Sequence, residues 1–126
     1  MNGIEWLLDT NMVIGLLKGH AAAMALAEQS GLVLDKAAVS QITRMELLGY
    51  SKLTDLEEQE IRQFLAACQV HLLSETIEMQ AIHLRRTGAL KLPDAIVAAT
   101  AITGKLRLLT LDQGMLTALQ RLDSDA

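Results

Sequence analysis

Aromatic side chains are almost missing from this chain. Trp6, Tyr50 and Phe64 make up 2% of a sequence that is 51% apolar. The core must therefore be aliphatic, built of Leu, Ala, Val, Ile and Met. At 126 residues the chain is long enough for one core of useful size. Cys68 is the single cysteine, which excludes an internal disulfide and suits a reducing compartment. No apolar run reaches the roughly eighteen residues a membrane-spanning helix needs. Met1 to Glu5 also lack the basic start of a secretory signal, so a cytoplasmic location without membrane contact is expected. There is no low-complexity tract, no Walker or dinucleotide glycine loop, and no motif for Ser or Cys nucleophilic catalysis.

An excess of positive charge is missing too. The net charge is −4, which does not advertise a nucleic-acid binder. The sign is less simple than it looks. With Asp9, Glu46, Asp94 and Asp112 set aside, the remaining acids equal the 11 Lys and Arg. Whether those four belong together decides how the charge is read.

What is present is an alternation of short apolar runs with helical segments. Ile4 to Leu8 reads as a first strand, and Met12 to Lys18 and Ala21 to Gln29 as helices. A second strand lies within Leu32 to Val39, at its Ala37-Ala38-Val39 end, and Ser40 is placed to cap a helix through Leu48. Thr54 and Glu57 form a capping box for a helix to about Ala67. Val70 to Leu73 is a third strand, followed by a helix from Ser74 to Arg86 or Thr87 that Gly88 closes. Pro93 suits the first position of an almost wholly apolar helix running to Gly104. Leu106 to Thr110 is a last strand, Asp112 to Leu122 a last helix, and residues 123–126 a frayed tail after a single domain of residues 1–122. Strands apolar on both faces, separated by helices, predict a short parallel sheet covered on both sides.

The four acids fall at corresponding places in this pattern. Asp9 follows the first strand, Glu46 lies in the helix after the second, Asp94 opens the apolar helix and Asp112 follows the last strand. In an open parallel sheet, strand ends and helix starts share one edge, where ligands bind. Two carboxylates about 4 Å apart repel by roughly 4 kcal/mol at an effective dielectric near 20. A cation or protons must relieve that. An oxygen-only donor set suits Mg²⁺ or Mn²⁺ rather than zinc, and His20, His71, His83 and Cys68 do not fall at these strand ends. Such an ion activates water and orients phosphate, so phosphodiester hydrolysis is the natural chemistry. Each acid also has a plainer reading. Asp9 and Asp112 could cap helices, Glu46 could close a capping box with Thr43, and Asp94 could complement a helix dipole.

The stretches LLDTNMVIGLL (Leu7 to Leu17), SQITRMELLG (Ser40 to Gly49), KLPDAIVAATA (Lys91 to Ala101) and LLTLD (Leu108 to Asp112) resemble the PIN-domain family, in particular its VapC-type toxins. The resemblance covers nearly the whole chain in order. It implies a three-layer α/β/α sandwich of PIN type and Mg²⁺- or Mn²⁺-dependent endoribonuclease activity. It implies that Asp9, Glu46, Asp94 and Asp112 form the metal-binding site. Thr10 and Asn11 match the family's Asp-Thr-Asn opening, and Thr110 matches a hydroxyl residue beside the fourth acid. Toxin members form homodimers and are blocked by an antitoxin that docks over a groove and the acidic pocket. The chain departs where many relatives carry a further acid and a Phe, at Gly114 and Met115.

Arg85, Arg86 and Lys91, just before Asp94, are candidates for holding RNA phosphates, against a plainer role as a solvated helix end. Glu57, Glu58 and Glu60 read as a solvated face. Met12, Met24, Met45, Met79 and Met115 read as core filling, with some able to line a partner groove. Trp6 reads as core or dimer contact and Cys68 as a small buried hydrophobe. Two rival functions stay open. One is a PIN-like partner-binding module without turnover, suggested by Gly114. The other is a haloacid-dehalogenase-type phosphatase, which would expect a second acid where Asn11 stands.

Overall fold

The computed structural model describes residues 3–88 and 90–125. The chain runs β1 (Trp6–Leu8), α1 (Thr10–Leu17), α2 (Ala21–Ser30), β2 (Ala37–Ser40), α3 (Gln41–Leu48) and α4 (Asp55–Ala67). It continues with β3 (Gln69–His71), α5 (Glu75–Arg86), α6 (Leu92–Gly104), β4 (Arg107–Leu109) and α7 (Gln113–Asp125). The strands form one parallel sheet in the order β3-β2-β1-β4. The chain thus builds outward from β1 on one side, then returns to add β4 on the other. The crevice between the carboxyl ends of β1 and β4 is the switch point of the sheet.

Alternation along β1 sends its side chains to two separate cores. Leu7, with Ala38 and Leu108, packs against α5, α6 and α7 through Ile77, Leu84, Ala98 and Met115. Trp6 and Leu8, with Val39 and Leu109, pack against α1 to α4 through Met12, Leu47, Ile61 and Phe64. The result is the expected three-layer sandwich. The alanines of α6 explain its all-round apolarity, since Ala95, Ala98, Ala99 and Ala101 are all buried.

Local chemistry sets most boundaries. Thr54 and Glu57 close the capping box reciprocally, at 3.1 and 3.0 Å. The hydroxyls of Ser40 and Ser74 accept from Ile42 N and Ile77 N. Gly88, at φ 78°, follows α5 in a left-handed conformation that glycine adopts without steric cost. The strands are shorter than their apolar runs, because ladder pairing covers only three or four residues of each. The second strand lies at the expected Ala37 end of its apolar run, directly after a 3-10 turn over Leu34–Lys36. Pro93 is the second residue of α6, not the first, because Lys91 is the N-cap and Leu92 begins the helix. α7 continues beyond Leu122, over part of the expected frayed tail, with no Gly or Pro to stop it; Ala126 lies outside the described residues.

The methionines divide. Met12 and Met115 fill the cores, but Met24, Met45 and Met79 are 50%, 56% and 64% exposed. Their helices dock through other faces: α2 through Ala23, α3 through Thr43 and Leu47, α5 through Ile77, Ala81 and Leu84. Trp6 is core, and Cys68 is half-buried against the second core, where burial pushes its thiol up.

α1 and α2 meet at Gly15, where an added Cβ would stand 2.7 Å from the Ala23 Cβ, a backbone-fixed atom that cannot swing aside. Gly15→Ala is expected to destabilise the fold by about 1–3 kcal/mol despite the better helix propensity of alanine. Urea unfolding of the two proteins checks this; an unchanged or higher midpoint contradicts the close packing.

Candidate active site

Three of the four acids gather around the switch point. Asp9 ends β1 with extended backbone (φ −81°, ψ 173°) and caps α1, its Oδ1 accepting from Met12 N at 2.8 Å. Its Oδ2 accepts a short hydrogen bond from the Thr110 hydroxyl, just past β4. Asp9 is only 5% exposed. Thr110 also ties in the fourth acid, its Oγ1 accepting from Asp112 N at 3.0 Å. Asp112 caps α7, its Oδ1 accepting from Gly114 N at 2.8 Å and Met115 N at 3.2 Å. A Cβ on residue 114 would stand 3.2 Å from that carboxylate oxygen, so glycine there leaves Asp112 room to cap. Asp94 sits in the first turn of α6, partly buried.

Glu46 comes from α3, one layer across. It is exposed, and its Oε1 lies 2.6 Å from the Thr10 hydroxyl. Thr10 in turn lies 3.1 Å from the hydroxyl of Thr43, which is fully buried. Asn11 is exposed. The plainer readings hold for Asp9 and Asp112, which are caps and also lie within electrostatic reach of each other. Glu46 makes no capping box, because Ser40 is the N-cap of α3.

The electrostatics join all four. Burial pushes the Asp9 carboxyl above its ordinary range. The Thr110 and Met12 hydrogen bonds pull it back, and the Asp94 and Asp112 carboxylates push it up further. Burial likewise raises Asp94, reinforced by Asp112 and Glu46 and opposed by Lys91. Asp94 is thus the hub of the group. Among the described residues, no three Asp, Glu, His or Cys side chains are gathered closely enough to hold a metal ion as they stand. In donor chemistry and charge the residues fit a hard divalent cation: oxygen donors only, mutually repelling, with Lys91 easing Asp94. A bound ion would have to draw them inward.

The basic residues are less uniform than their spacing suggests. Arg85 donates from Nη1 to the Leu90 carbonyl at 2.8 Å and so braces the α5–α6 turn. Arg86 and Lys91 are exposed, Lys91 at the mouth of α6. His71, expected away from the strand ends, is the last residue of β3, paired with Ser40 on the far side of the sheet from β4. Thr43, read from the sequence only as a capping-box partner of Glu46, instead contacts Thr10 beside the site. The signal was its spacing from Glu46, which puts both on one face of α3. Beside Glu46 a cleft of about 470 Å³ is lined by Ile14, Leu17, Leu47, Tyr50, Leu53 and Ile61, with Lys18 and Glu60 also lining it.

The PIN domain family model matches residues 6–121. A toxin-antitoxin complex from Klebsiella pneumoniae contains a chain 35% identical to this one, with a TM-score of 0.72, the match covering 86% of this chain and 87% of that one. FitAcB from Neisseria gonorrhoeae is 24% identical with a TM-score of 0.72, covering 91% and 93%. VapBC-1 from nontypeable Haemophilus influenzae is 23% identical with a TM-score of 0.70, covering 94% of each chain. No curated protein matches the chain. These matches give no support to the dehalogenase-type alternative.

Asp94 has an ordinary value of 3.8 that the fold raises. The folded state therefore keeps a proton that the unfolded chain has lost, and this acid's contribution turns unfavourable as pH rises from about 4 through the raised value. Asp94→Asn is expected to raise the Tm of the metal-free protein at pH 7, with a gain that shrinks as pH falls toward 4. Thermal melts in EDTA at the two pH values measure this; a lower Tm for the variant at pH 7 contradicts the crowding of charge.

Proposed function

The chain belongs to the PIN-domain family, and from that premise we propose that it is a divalent-metal-dependent endoribonuclease, the toxin of a type II toxin–antitoxin pair. The observation that carries the reading is Asp94, a carboxylate pushed up by burial and by Asp112 and Glu46 at the mouth of a buried helix. Charge held together in this way is useful when a cation or a phosphate-bound cation occupies the site.

Asp9 and Asp94 would be the principal ligands, with Glu46 and Asp112 completing the shell or orienting the attacking water. Bound Mg²⁺ or Mn²⁺ supplies activation of water and neutralisation of phosphate charge. The protein's own contribution is positional. Thr110 holds Asp9 and the backbone of Asp112 in one frame, so the β1 and β4 ends present their acids together. Lys91, which eases Asp94, and the exposed Arg86 would meet phosphates flanking the scissile bond. A basic rim around a neutralised acidic centre reconciles RNA binding with a net charge of −4.

An antitoxin is the proposed protein partner, its apolar segment lying in the cleft beside Glu46 and covering the acids. That the matched structure from Klebsiella pneumoniae is a toxin-antitoxin complex supports this reading. A homodimer is also proposed. Met79 and Ile82, three residues apart on α5 and both exposed, offer apolar surface that a second copy would cover. The cytoplasm is the proposed location; no helix among the described residues is long and apolar enough to cross a membrane.

The rival reading, a binding module without turnover, has one structural point in its favour: residue 114 offers a backbone N–H to Asp112 and no further acid. Cleavage of RNA in Mn²⁺ separates the two. Asp94→Asn is expected to lower the rate by roughly 10²–10³-fold, the scale of losing one preorganised electrostatic contribution, while remaining folded. A folded variant with full activity removes Asp94 from the site, and a wild-type protein that neither binds Mn²⁺ nor cleaves favours the module. Sedimentation of the purified chain tests the dimer: a monomer at tens of micromolar speaks against it.

A further inference from the structure

Glu46 differs from the other three acids. It rides on a longer side chain, it is exposed as Asp112 is, and unlike Asp9 and Asp112 it receives no backbone hydrogen bond among the described residues. Holding an exposed glutamate in one rotamer costs side-chain entropy. Something must fix it if it is to serve the site.

The Thr10 hydroxyl lies 2.6 Å from Glu46 Oε1 and 3.1 Å from Thr43 Oγ1. A hydroxyl has one proton, and an ionised carboxylate only accepts. The Thr10 proton is therefore committed to Glu46. The contact with Thr43 must run the other way, the Thr43 hydroxyl donating to Thr10. Thr43 is 0% exposed and stands one helical turn before Glu46 on α3. Among the described residues its hydroxyl has no hydrogen-bond partner except Thr10. A buried donor with one available acceptor is pinned, because leaving it unpaired is expensive.

We infer that Thr43 is a positioning residue for Glu46, acting through Thr10 in a directed chain of hydroxyls, Thr43 to Thr10 to Glu46. The inference rests on the metal-site reading above. The chain anchors Oε1 from the protein interior and leaves Oε2 for an ion or its water. It also crosses between elements: Thr10 opens α1 directly after Asp9, while Thr43 and Glu46 belong to α3. The relative placement of Asp9 and Glu46 is thereby set by two hydroxyls, not by backbone alone. Hydrogen-bond partners behind metal-binding side chains act in this way, orienting them without touching the ion.

The test is a calorimetric Mn²⁺ titration of the full chain, with a thermal melt of every variant. Thr43→Val keeps the shape and removes the hydroxyl; it is expected to weaken Mn²⁺ binding by about 10- to 100-fold. Thr43→Ser keeps the hydroxyl and is expected to stay close to wild type. In a Glu46→Gln background, Thr43→Val is expected to add no further loss, since both changes break one chain. Should Thr43→Val not fold, Thr10→Val cuts the same chain at its half-buried end and carries the same expectations. Wild-type Mn²⁺ affinity in the hydroxyl-free variant, while Asp94→Asn and Glu46→Gln lose theirs, overturns the inference alone. An equal loss with and without Glu46 overturns it as well, as a general packing effect. Unchanged affinity in Asp94→Asn and Glu46→Gln removes the metal reading and this inference together.

Discussion

A carboxylate buried at the end of the central strand sets the terms for everything around it. Asp9 cannot be hydrated as a surface aspartate is, so the fold surrounds it with donors: the Met12 amide from α1 and the Thr110 hydroxyl from beyond β4. Buried charge persists only when it is hydrogen-bonded or paired. Those two bonds also lock the first helix and the last strand to the same point. The switch in strand order leaves a crevice at that point, and Asp94 and Asp112 enter it close enough to push Asp9 up.

The same residues thus cap helices and crowd negative charge at one point. Asp9 and Asp112 would each be adequate as helix caps if they were serine or threonine, and the cap alone explains neither the choice of carboxylate nor the crowding. Repulsion at the site is a standing cost in the metal-free protein, offset by two cores that flank the sheet, one aliphatic and one that also holds Trp6 and Phe64. Stability is spent here on electrostatics suited to a cation, a pattern common at functional sites.

Much of this was legible beforehand, and the reasons are local. Capping signals at Ser40, Thr54 and Ser74 predicted helix starts to the residue, because a side-chain oxygen and a nearby amide decide them. Strand ends were less legible, since pairing partners far along the chain determine how much of an apolar run joins the ladder. The exposed Met24, Met45 and Met79 show the same limit: composition marks a residue as apolar, but helix docking decides which face is covered. Arg85 was grouped by spacing with Arg86 and Lys91, whereas geometry gives it the Leu90 carbonyl.

The order of short apolar runs and helical segments determined, by itself, a parallel sheet with acids at one edge, because strand polarity and right-handed crossovers leave few other places for them. Only the tertiary structure decided how those acids are held. The Thr110 bond to Asp9 spans the length of the chain, and the Thr43–Thr10–Glu46 chain joins separate helices. Contacts of that kind depend on side-chain directions within a few tenths of an ångström. No periodicity encodes such directions, and they exist only once both cores have packed.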